Sequence, residues 1–377
     1  MEYSKLKDKC RGSLVGGAVG DALGYEVEFM RLKDILKKYG RNGITHYSPN
    51  KSKVTQFSDD TQMSLFTLEG LMNGIIASKA GDISYIVPHI KKAYLNWYQT
   101  QTSSQHRLRE SWVGNLKTLW SRRAPGLTCM EALGQLADNA EVRNISKGCG
   151  GVMRVAPIGI FCGAHPHIYS YKDIALLAGR AAELTHKHIA STLAAALLAT
   201  IVANCIDNVS IDVTMFSFIV TEGLIMLPQY YPGHLEEIKK FANLIELAMD
   251  LGKRDVPERE AIFRLGEGWV GDEALAIAIF SVMRHIGDFE KCVVCAVNHD
   301  GDSDSTGAIA GNIIGAIHGY SAIPRHFLET LEIHPVLVSA ADDLCADVNV
   351  PDVNLRIGKR YINHQPADIS PEYVISN

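Results

Sequence analysis

The stretch GSLVGGAVGDALG, residues 12–24, combines a helical apolar pattern with an unusual density of glycine and other small residues. A second stretch of the same character, STGAIAGNIIGAIHG, occupies residues 305–319 near the other end of the chain. Glycine inside a helix lowers helix propensity, and small residues allow two backbones to approach closely. Both stretches therefore indicate buried helices that pack against neighbours at short range.

Most other apolar segments also have helical spacing and are rich in Ala, Leu, Ile and Met. Alternating, strand-like runs are nearly absent, so the predicted fold class is all-α, in one compact orthogonal helical assembly. We expect a helical domain over 1–340 and an extended C-terminal segment, 341–377, packed on it. The segments with helical spacing lie at 61–78, 84–98, 173–206, 236–251, 272–286 and 304–319.

Composition excludes several classes of protein. The 377 residues are 47% hydrophobic and 21% charged with a formal net charge of −5, and no basic stripe suited to nucleic acid is visible. The start of the chain lacks the pattern of a signal peptide, so a cytoplasmic location is expected. The most membrane-like run, 189–205, is shorter than a typical span and is predicted to be a buried core helix, so no membrane partner is expected.

The eight cysteines are scattered through apolar contexts, which fits reduced thiols rather than a disulfide framework. CVVC at 292–295 is a lone CxxC pair. Without a second pair, this motif favours core packing over a zinc or redox role.

Three acidic segments lie beside the small-residue helices: 20–29, 58–61 and 299–311. Each alone fits a helix cap or a solvated turn. If the segments converge, five carboxylates share one pocket, and only bound cations would keep them all ionised at neutral pH. The donors are hard oxygens, which favour Mg²⁺, Mn²⁺ or Ca²⁺ and suggest a two-metal site. The residues concerned are Glu28, Asp59, Asp60, Asp302 and Asp304, with the hydroxyls of Ser58 and Ser305.

An alternative interpretation is an aspartyl phosphatase, because Asp302, Asp304 and Thr306 match the pattern DxDxT. CVVCAVN before this motif would then be a buried strand. Such a fold needs the motif early in the chain, followed by alternating strands and helices, so this interpretation ranks second.

Taken together, the motifs resemble those of the ADP-ribosylglycohydrolases of the dinitrogenase-reductase-activating type, over about residues 9–322. The resemblance implies an all-α domain with two Mg²⁺ (or Mn²⁺) ions that hydrolyses the bond between the anomeric carbon of ADP-ribose and an acceptor. It rests on GSLVGGAVGDALGYEVEF, FSDDTQMS, RRAPGLTCMEAL, SKGCGGVMRVAPIGIF, LTHKH, GEGWVGDEALAIAIF and NHDGDSDSTGAIAGNIIGAIHG, in that order.

By this resemblance the catalytic residues are Asp302, to orient or deprotonate the attacking water, and Glu28, to ligate a metal or assist departure of the acceptor. Ser58 stands where threonine is commoner, which keeps the hydroxyl. Asp300 stands where the family often has glycine and adds a charge. The implied metal ligands are Ser58, Asp59, Asp60, Asp302, Asp304 and Ser305.

Two glycine-rich segments and one histidine are candidates for contacts to substrate. The backbone N–H groups of KGCGGVMR, 147–154, suit a pyrophosphate, although a simple glycine-rich turn is equally consistent with the letters. His186 is either a nucleotide contact or a satisfied core histidine. GEGWVG, 266–271, is expected to be a mobile wall, although its tryptophan also fits a core anchor. The candidate substrate-binding residues are Gly148, Cys149, Gly150, Gly151, Val152, Met153, His186, Gly268 and Trp269.

The resemblance favours ADP-ribosyl-arginine on a protein as the substrate, so the expected partner is an ADP-ribosylated protein or another ADP-ribose conjugate. Serine- or acetyl-linked ADP-ribose and poly-ADP-ribose stay open, because the same ribose would lie over the same metals. A non-catalytic, crystallin-like role would predict gaps among the carboxylates, and none is missing. The sequence does not fix the oligomeric state, and a monomer is consistent with it.

Overall fold

The computed structural model describes residues 1–48, 53–78, 82–104, 107–346, 351–366 and 368–375. Within these ranges the chain forms α-helices and short helical turns, with three isolated β-bridges and no sheet. The all-α prediction is therefore confirmed. The α-helices are α1 (Tyr3–Tyr25), α2 (Leu32–Tyr39), α3 (Asp59–Ser78), α4 (Ile83–Thr102), α5 (Leu127–Ala137), α6 (Ala156–Ala164), α7 (Tyr171–Glu183), α8 (Ile189–Asp207), α9 (Val213–Tyr230), α10 (Leu235–Lys253), α11 (Glu258–Leu265), α12 (Gly271–Arg284), α13 (Phe289–Val297), α14 (Ser303–His318), α15 (Arg325–Leu328), α16 (His334–Leu344) and α17 (Pro351–Ile357).

The two small-residue helices, α1 and α14, pack against each other in antiparallel orientation. A Cβ atom at Gly20 would lie 1.9 Å from the carbonyl oxygen of Gly307, and Gly12, Gly16 and Gly24 meet α14 in the same way. Real Cβ atoms do not approach a carbonyl oxygen this closely, so the backbones touch directly. The facing pairs are Gly12 with Gly315, Gly16 with Gly311, Gly20 with Gly307, and Gly24 with Ser303.

The predicted helix at 173–206 is two helices, α7 and α8, separated by residues 184–188. The break has a local cause, because His188 caps α8 by accepting a hydrogen bond from the backbone N–H of Ala190 at 3.1 Å. The apolar pattern continues across this break and conceals it. The other five predicted helices are present with ends shifted by at most four residues.

Two helices, α8 and α9, are long and apolar enough to cross a membrane by length and composition alone. For α8, 89% of the apolar window is buried inside the protein, which confirms the predicted core helix over 189–205. For α9 the buried share is 33%. Core helices of globular proteins pass the same test, so length and apolarity are weak evidence for a membrane span.

The C-terminal segment 341–377 is not extended as expected, since α16 continues to Leu344 and α17 is followed by a π-helix at Gly358–Ile362. Arg356 and Arg360, one turn apart, both pair with the buried carboxylate of Asp343, at 2.9 and 2.5 Å. A helix brings two residues at this spacing to one partner, and that distant partner is invisible in the local pattern. Residues 347–350, 367 and 376–377 of the segment lie outside the described residues.

The segments between the longer helices also contain helical turns. Residues 99–126 include 3₁₀ helices at Val113–Asn115 and Lys117–Trp120, and residues 251–270 include α11. Further 3₁₀ turns occur at Cys149–Gly151, Tyr320–Ala322 and Pro371–Tyr373.

The close contact of α1 and α14 predicts a strong effect of one methyl group. Gly20→Ala should destabilise the protein by about 2 kcal/mol or more, because the overpacking cost exceeds the roughly 1 kcal/mol that alanine gains over glycine in helix propensity. Urea unfolding measures the difference. Gly287→Ala is the matched control, since a Cβ there meets nothing within 4 Å and should change stability by less than about 0.5 kcal/mol. Equal effects of the two substitutions would contradict the packing argument.

Candidate active site

The first turn of α3 is capped by groups other than its own two aspartates. The Ser58 hydroxyl accepts a hydrogen bond from the backbone N–H of Asp60 at 3.2 Å. Asp21, on α1, accepts from the backbone N–H groups of Ser58 and Thr61 at 2.8 and 2.9 Å. The N-cap role is therefore filled, and the carboxylates of Asp59 and Asp60 are available for something else.

A buried ion pair between Arg123 and Glu332 fixes the approach to α3 from the opposite side. The Arg123 guanidinium donates to the carbonyl oxygen of Phe57 at 3.0 Å, and the backbone N–H of Phe57 donates to Glu332 at 3.2 Å. Both backbone polar groups of Phe57, the residue before Ser58, are thereby hydrogen-bonded. This arrangement holds residues 58–60, the SDD turn, at the end of α1.

The third acidic segment forms the start of α14, where Asp302 is the N-cap residue. The backbone N–H of Ser305 donates to Asp304 at 2.9 Å, and the backbone N–H of Asp302 donates to the carbonyl of Glu267 at 2.8 Å. Because the end of α1 packs on the start of α14, the loop after α1 carries Glu28 to the same place. Ligand oxygens of Glu28, Asp302 and Asp304 all lie within 4.8 Å of one another.

The carboxylates strongly perturb one another. Burial, followed by repulsion from Asp304 and Asp302, raises the pKa of Glu28 to about 10. Burial and then Asp304 also raise the pKa of Asp59, Asp60 and Asp302 well above the ordinary value. A low-dielectric pocket with this many acidic groups favours their protonated forms unless positive charge is supplied.

Three buried carboxylate oxygens in this pocket have no hydrogen-bond partner among the residues that the structure describes: Glu28 Oε2, Asp60 Oδ2 and Asp302 Oδ2. Buried polar atoms are almost always paired, because an unpaired one costs roughly 1–3 kcal/mol. Three orphaned oxygens from three separate segments fit hard divalent cations, which take oxygen ligands. The residues present therefore match the implied metal centre.

The carboxylates form the floor of a cavity of about 630 Å³, a size suited to a small-molecule ligand. Most of the residues predicted from the sequence line it. The predicted metal ligand Ser58 does not line the cavity. The predicted binding residues Gly151, Val152 and Gly268 do not line it either, so the geometry does not support direct substrate contact by these three residues. The predicted residues on the wall are Glu28, Asp59, Asp60, Gly148, Cys149, Gly150, Met153, His186, Trp269, Asp302, Asp304 and Ser305.

The residues behind the wall have structural contacts that explain their position. Ser58, the first residue of the SDD turn, is fully buried, and Val152 is also 0% exposed. A Cβ at Gly151 would lie 2.1 Å from the hydroxyl of Ser191. Gly268 has φ of +80°, a conformation that favours glycine, and packs against Thr306.

The two glycine-rich segments pair with each other along one side of the cavity. Gly148 and Val270 form an antiparallel β-bridge. The backbone N–H of Cys149 donates to the carbonyl of Trp269 at 3.2 Å, and that of Gly271 donates to the carbonyl of Lys147 at 2.8 Å. The 266–271 wall is therefore anchored to the 147–154 loop by backbone hydrogen bonds.

His186 combines both of its sequence interpretations, since it is 2% exposed and yet reaches the cavity wall. Its Nδ1 lies 2.9 Å from the hydroxyl of Thr185, which accepts a hydrogen bond from Arg154 at 2.6 Å. Burial and then the Arg154 charge lower the pKa of His186 to about 3. The imidazole is therefore neutral at physiological pH.

Sequence reasoning missed several residues at the site. Asp21 positions the turn at residues 58–60, and only the packing of α1 against α3 shows this role. RRAPGLT, residues 122–128, is one of the motifs that carry the resemblance, but the sequence predicts no function for it. Within this loop, the backbone N–H of Gly126 donates to Asp59 at 3.2 Å. Asp300, whose charge had no assigned effect, accepts from the backbone N–H of Leu32 at 2.8 Å and so caps α2. The additional residues that line the cavity are Phe29, Arg122, Ala124, Pro125, Gly126, Leu127, Thr128 and Cys129.

The family model described as ADP-ribosylglycohydrolase matches residues 2–353. The chain belongs to the ADP-ribosylglycohydrolase family. It is 24% identical over 341 residues to the ADP-ribosyl-[dinitrogen reductase] glycohydrolase of Rhodospirillum rubrum, which covers 88% of this chain and 93% of the relative. It is 23% identical over 353 residues to the ADP-ribosylarginine hydrolase Tri1 of Serratia proteamaculans, covering 90% and 80% respectively.

A solved structure titled ADP-ribosylglycohydrolase-related protein complex shares the fold of this ADP-ribosylglycohydrolase, with a TM-score of 0.62 and 22% sequence identity. The match covers 91% of this chain and 98% of that one. Members of the family hydrolyse ADP-ribose linkages, so the protein is a hydrolase and the non-catalytic interpretation is set aside. The phosphatase interpretation is also wrong, because CVVCAVN lies in helix α13 and the described residues contain no sheet.

Asp60→Asn separates metal ligation from helix capping. Because Asp60 Oδ2 has no partner and faces other carboxylates, the substitution should leave the thermal midpoint of the metal-free protein unchanged or higher. It should also abolish stabilisation by Mg²⁺ and lower hydrolysis about a hundredfold or more.

The contrasting variant is Asp21→Ala, which removes the acceptor for two backbone N–H groups of the SDD turn. This variant should lower the thermal midpoint even without metal. Scanning calorimetry with and without Mg²⁺ distinguishes the two residues. If Asp60→Asn destabilised the metal-free protein as much as Asp21→Ala does, the ligand assignment would be wrong.

Proposed function

We propose that this protein is a divalent-metal-dependent ADP-ribosyl-arginine hydrolase that releases ADP-ribose from a modified protein. The observation that carries the proposal is the set of three buried, unpartnered carboxylate oxygens on the floor of a cavity walled by glycine-rich loops. The named activity of the Serratia relative supports the arginine linkage.

Two Mg²⁺ or Mn²⁺ ions fit the charge of the site, since +4 would nearly balance five carboxylates. When bound, such ions polarise substrate oxygens and lower the pKa of a bound water, which suits attack at an anomeric carbon of oxocarbenium character. The residues that would hold them are Asp59, Asp60, Asp302, Asp304 and Ser305, with Glu28 at the edge and the Ser58 hydroxyl behind the turn.

The protein's own groups supply orientation and proton transfer. Asp302 is held by the backbone contact to Glu267 and has one free oxygen, so it is placed to orient or deprotonate the attacking water. Glu28 lies beside Asp302 and Asp304, and burial and these neighbouring carboxylates raise its pKa. A protonated Glu28 can assist departure of the acceptor, and an ionised one can ligate a metal.

The side of the cavity formed by 147–154 suits the two phosphates of ADP-ribose. Gly148 and Gly150 line the cavity without a side chain, so anionic oxygens of a ligand could approach their backbone closely. The neutral His186 ring accepts from or donates to substrate without adding charge. At the rim, Arg122 is exposed and forms no ion pair with any residue of the described ranges, which leaves its guanidinium available for a phosphate.

The cavity mouth favours a cationic acceptor. Phe29 and Trp269 stack with ring centroids 6.4 Å apart, and their exposed fractions are 75% and 40%. Both rings line the same cavity as the carboxyl of Glu28. Aromatic faces beside an acidic group attract a guanidinium through cation–π and coulombic interactions, and a serine acceptor gains neither.

The substrate prediction is tested by release of ADP-ribose from arginine-, serine- and acetyl-linked conjugates and from poly-ADP-ribose. We expect hydrolysis of the arginine conjugate with Mg²⁺ or Mn²⁺ and none in excess EDTA, with the other substrates at least tenfold slower. Product is quantified by chromatography of free ADP-ribose. Full activity in EDTA would refute the metal centre, and faster release from an O-linked or polymeric substrate would reassign the acceptor.

The cytoplasmic location stays a prediction.

Arg122→Ala tests the phosphate contact. Loss of one charge-assisted contact to a phosphate should raise KM about tenfold or more, with kcat nearly unchanged, because the contact is made equally in ground and transition states. Arg109→Ala, another exposed arginine that lies away from the cavity, is the control and should leave both constants unchanged. A fall in kcat alone would contradict a role in ADP-ribose binding.

A further inference from the structure

A second group of ligating side chains lies outside the cavity, where α11, α12 and α13 meet. Glu258 begins α11, His285 ends α12 as its C-cap residue, and Cys295 lies in α13. One ligand atom from each lies within 4.8 Å of the other two. The imidazole Nε2 of His285 is 2.7 Å from a carboxylate oxygen of Glu258.

We propose that Glu258, His285 and Cys295 form a binding site for a borderline-soft divalent transition metal, with Zn²⁺ as the natural occupant. Imidazole nitrogen, thiolate sulfur and carboxylate oxygen are the three ligand types that Zn²⁺ takes, at about 2.0 to 2.3 Å. Three protein ligands leave a fourth tetrahedral position for water. The carboxylate side chain is partly exposed, which provides an entry path from solvent.

The donor set distinguishes this site from the carboxylate cavity. Hard oxygen donors select Mg²⁺ or Mn²⁺, whereas a thiolate and an imidazole select zinc-like ions. A Zn²⁺ ion with one thiolate, one carboxylate and a neutral imidazole has no net charge. Burial, followed by the neighbouring Glu258 carboxylate, raises the pKa of the Cys295 thiol, so a metal bound at this site must displace the thiol proton.

The CxxC motif is not the basis of this site. Cys292, its first cysteine, is fully buried and lies outside the group of three, while Cys295 combines with residues from two other helices. The CxxC spacing therefore does not identify the residues that would bind a metal together with Cys295. Bound zinc would connect the start of α11 to α12 and α13, and α11 runs directly into the 266–271 wall of the cavity.

The test uses Co²⁺ as a spectroscopic probe on the metal-stripped full chain, with excess Mg²⁺ to occupy the carboxylate site. We expect one equivalent of Co²⁺ to produce a thiolate-to-cobalt charge-transfer band in the near ultraviolet, and Zn²⁺ to remove it. Cys295→Ser should abolish the band, and Cys292→Ser should keep it. Cys149→Ser should also keep it, which excludes a signal from the thiol beside the active-site carboxylates.

His285→Gln provides a second variant at a position that is only half-buried, in case Cys295→Ser fails to fold. It should weaken Zn²⁺ binding at least tenfold in competition titrations and remove the rise in thermal midpoint that Zn²⁺ gives the unaltered protein. A missing band, a band that survives in Cys295→Ser, or a band lost in Cys149→Ser would overturn the proposal. None of these readouts depends on ADP-ribose hydrolysis, so the proposal and the proposed function fail separately.

Discussion

The direct backbone contact between α1 and α14 is the constraint on which the active site depends. These helices come from opposite ends of the chain, and four glycines of α1 lie against Gly315, Gly311, Gly307 and Ser303. Because the backbones touch at these four points, and Ser13 and Asn312 also hydrogen-bond across the same contact, the relative position of the two helices has little freedom. The register places the end of α1 beside the start of α14, and the loops that follow carry Glu28 and Asp302 to one point.

The N-termini of two helices help to stabilise the carboxylates that lie close together at the cavity. Backbone N–H groups at the N-terminus of a helix stabilise negative charge, and both α3 and α14 begin at the cavity. Asp21 and Ser58 cap α3, and the Arg123–Glu332 pair fixes the peptide before it. Other polar groups thus fix the start of α3, and one oxygen each of Glu28, Asp60 and Asp302 has no hydrogen-bond partner among the described residues and is open to a cation.

The helical class can be predicted from the sequence because it depends on local pattern, and the proposed metal ligands can be suggested from it because they are recognised by residue type. Spacing of apolar residues is enough to place most helices, and hard oxygen ligands in three segments are enough to suggest a metal centre. Roles that depend on a distant partner are not visible in this way. Asp21 acts on α3, Asp343 brings Arg356 and Arg360 into a helical turn, and each pairing is known only once the chain is folded.

The mouth of the cavity and its floor are physically linked through one short segment. The carbonyl of Glu267 accepts from the backbone N–H of Asp302, while the side chain of Glu267 contacts Arg31 and the indole N–H of Trp269. The same segment therefore holds Asp302 by its backbone and contacts residues at the mouth of the cavity by its side chain. The carboxylates can be recognised in the sequence because residue type alone identifies them. The shape of the mouth cannot, because it depends on contacts between segments that are distant in the chain.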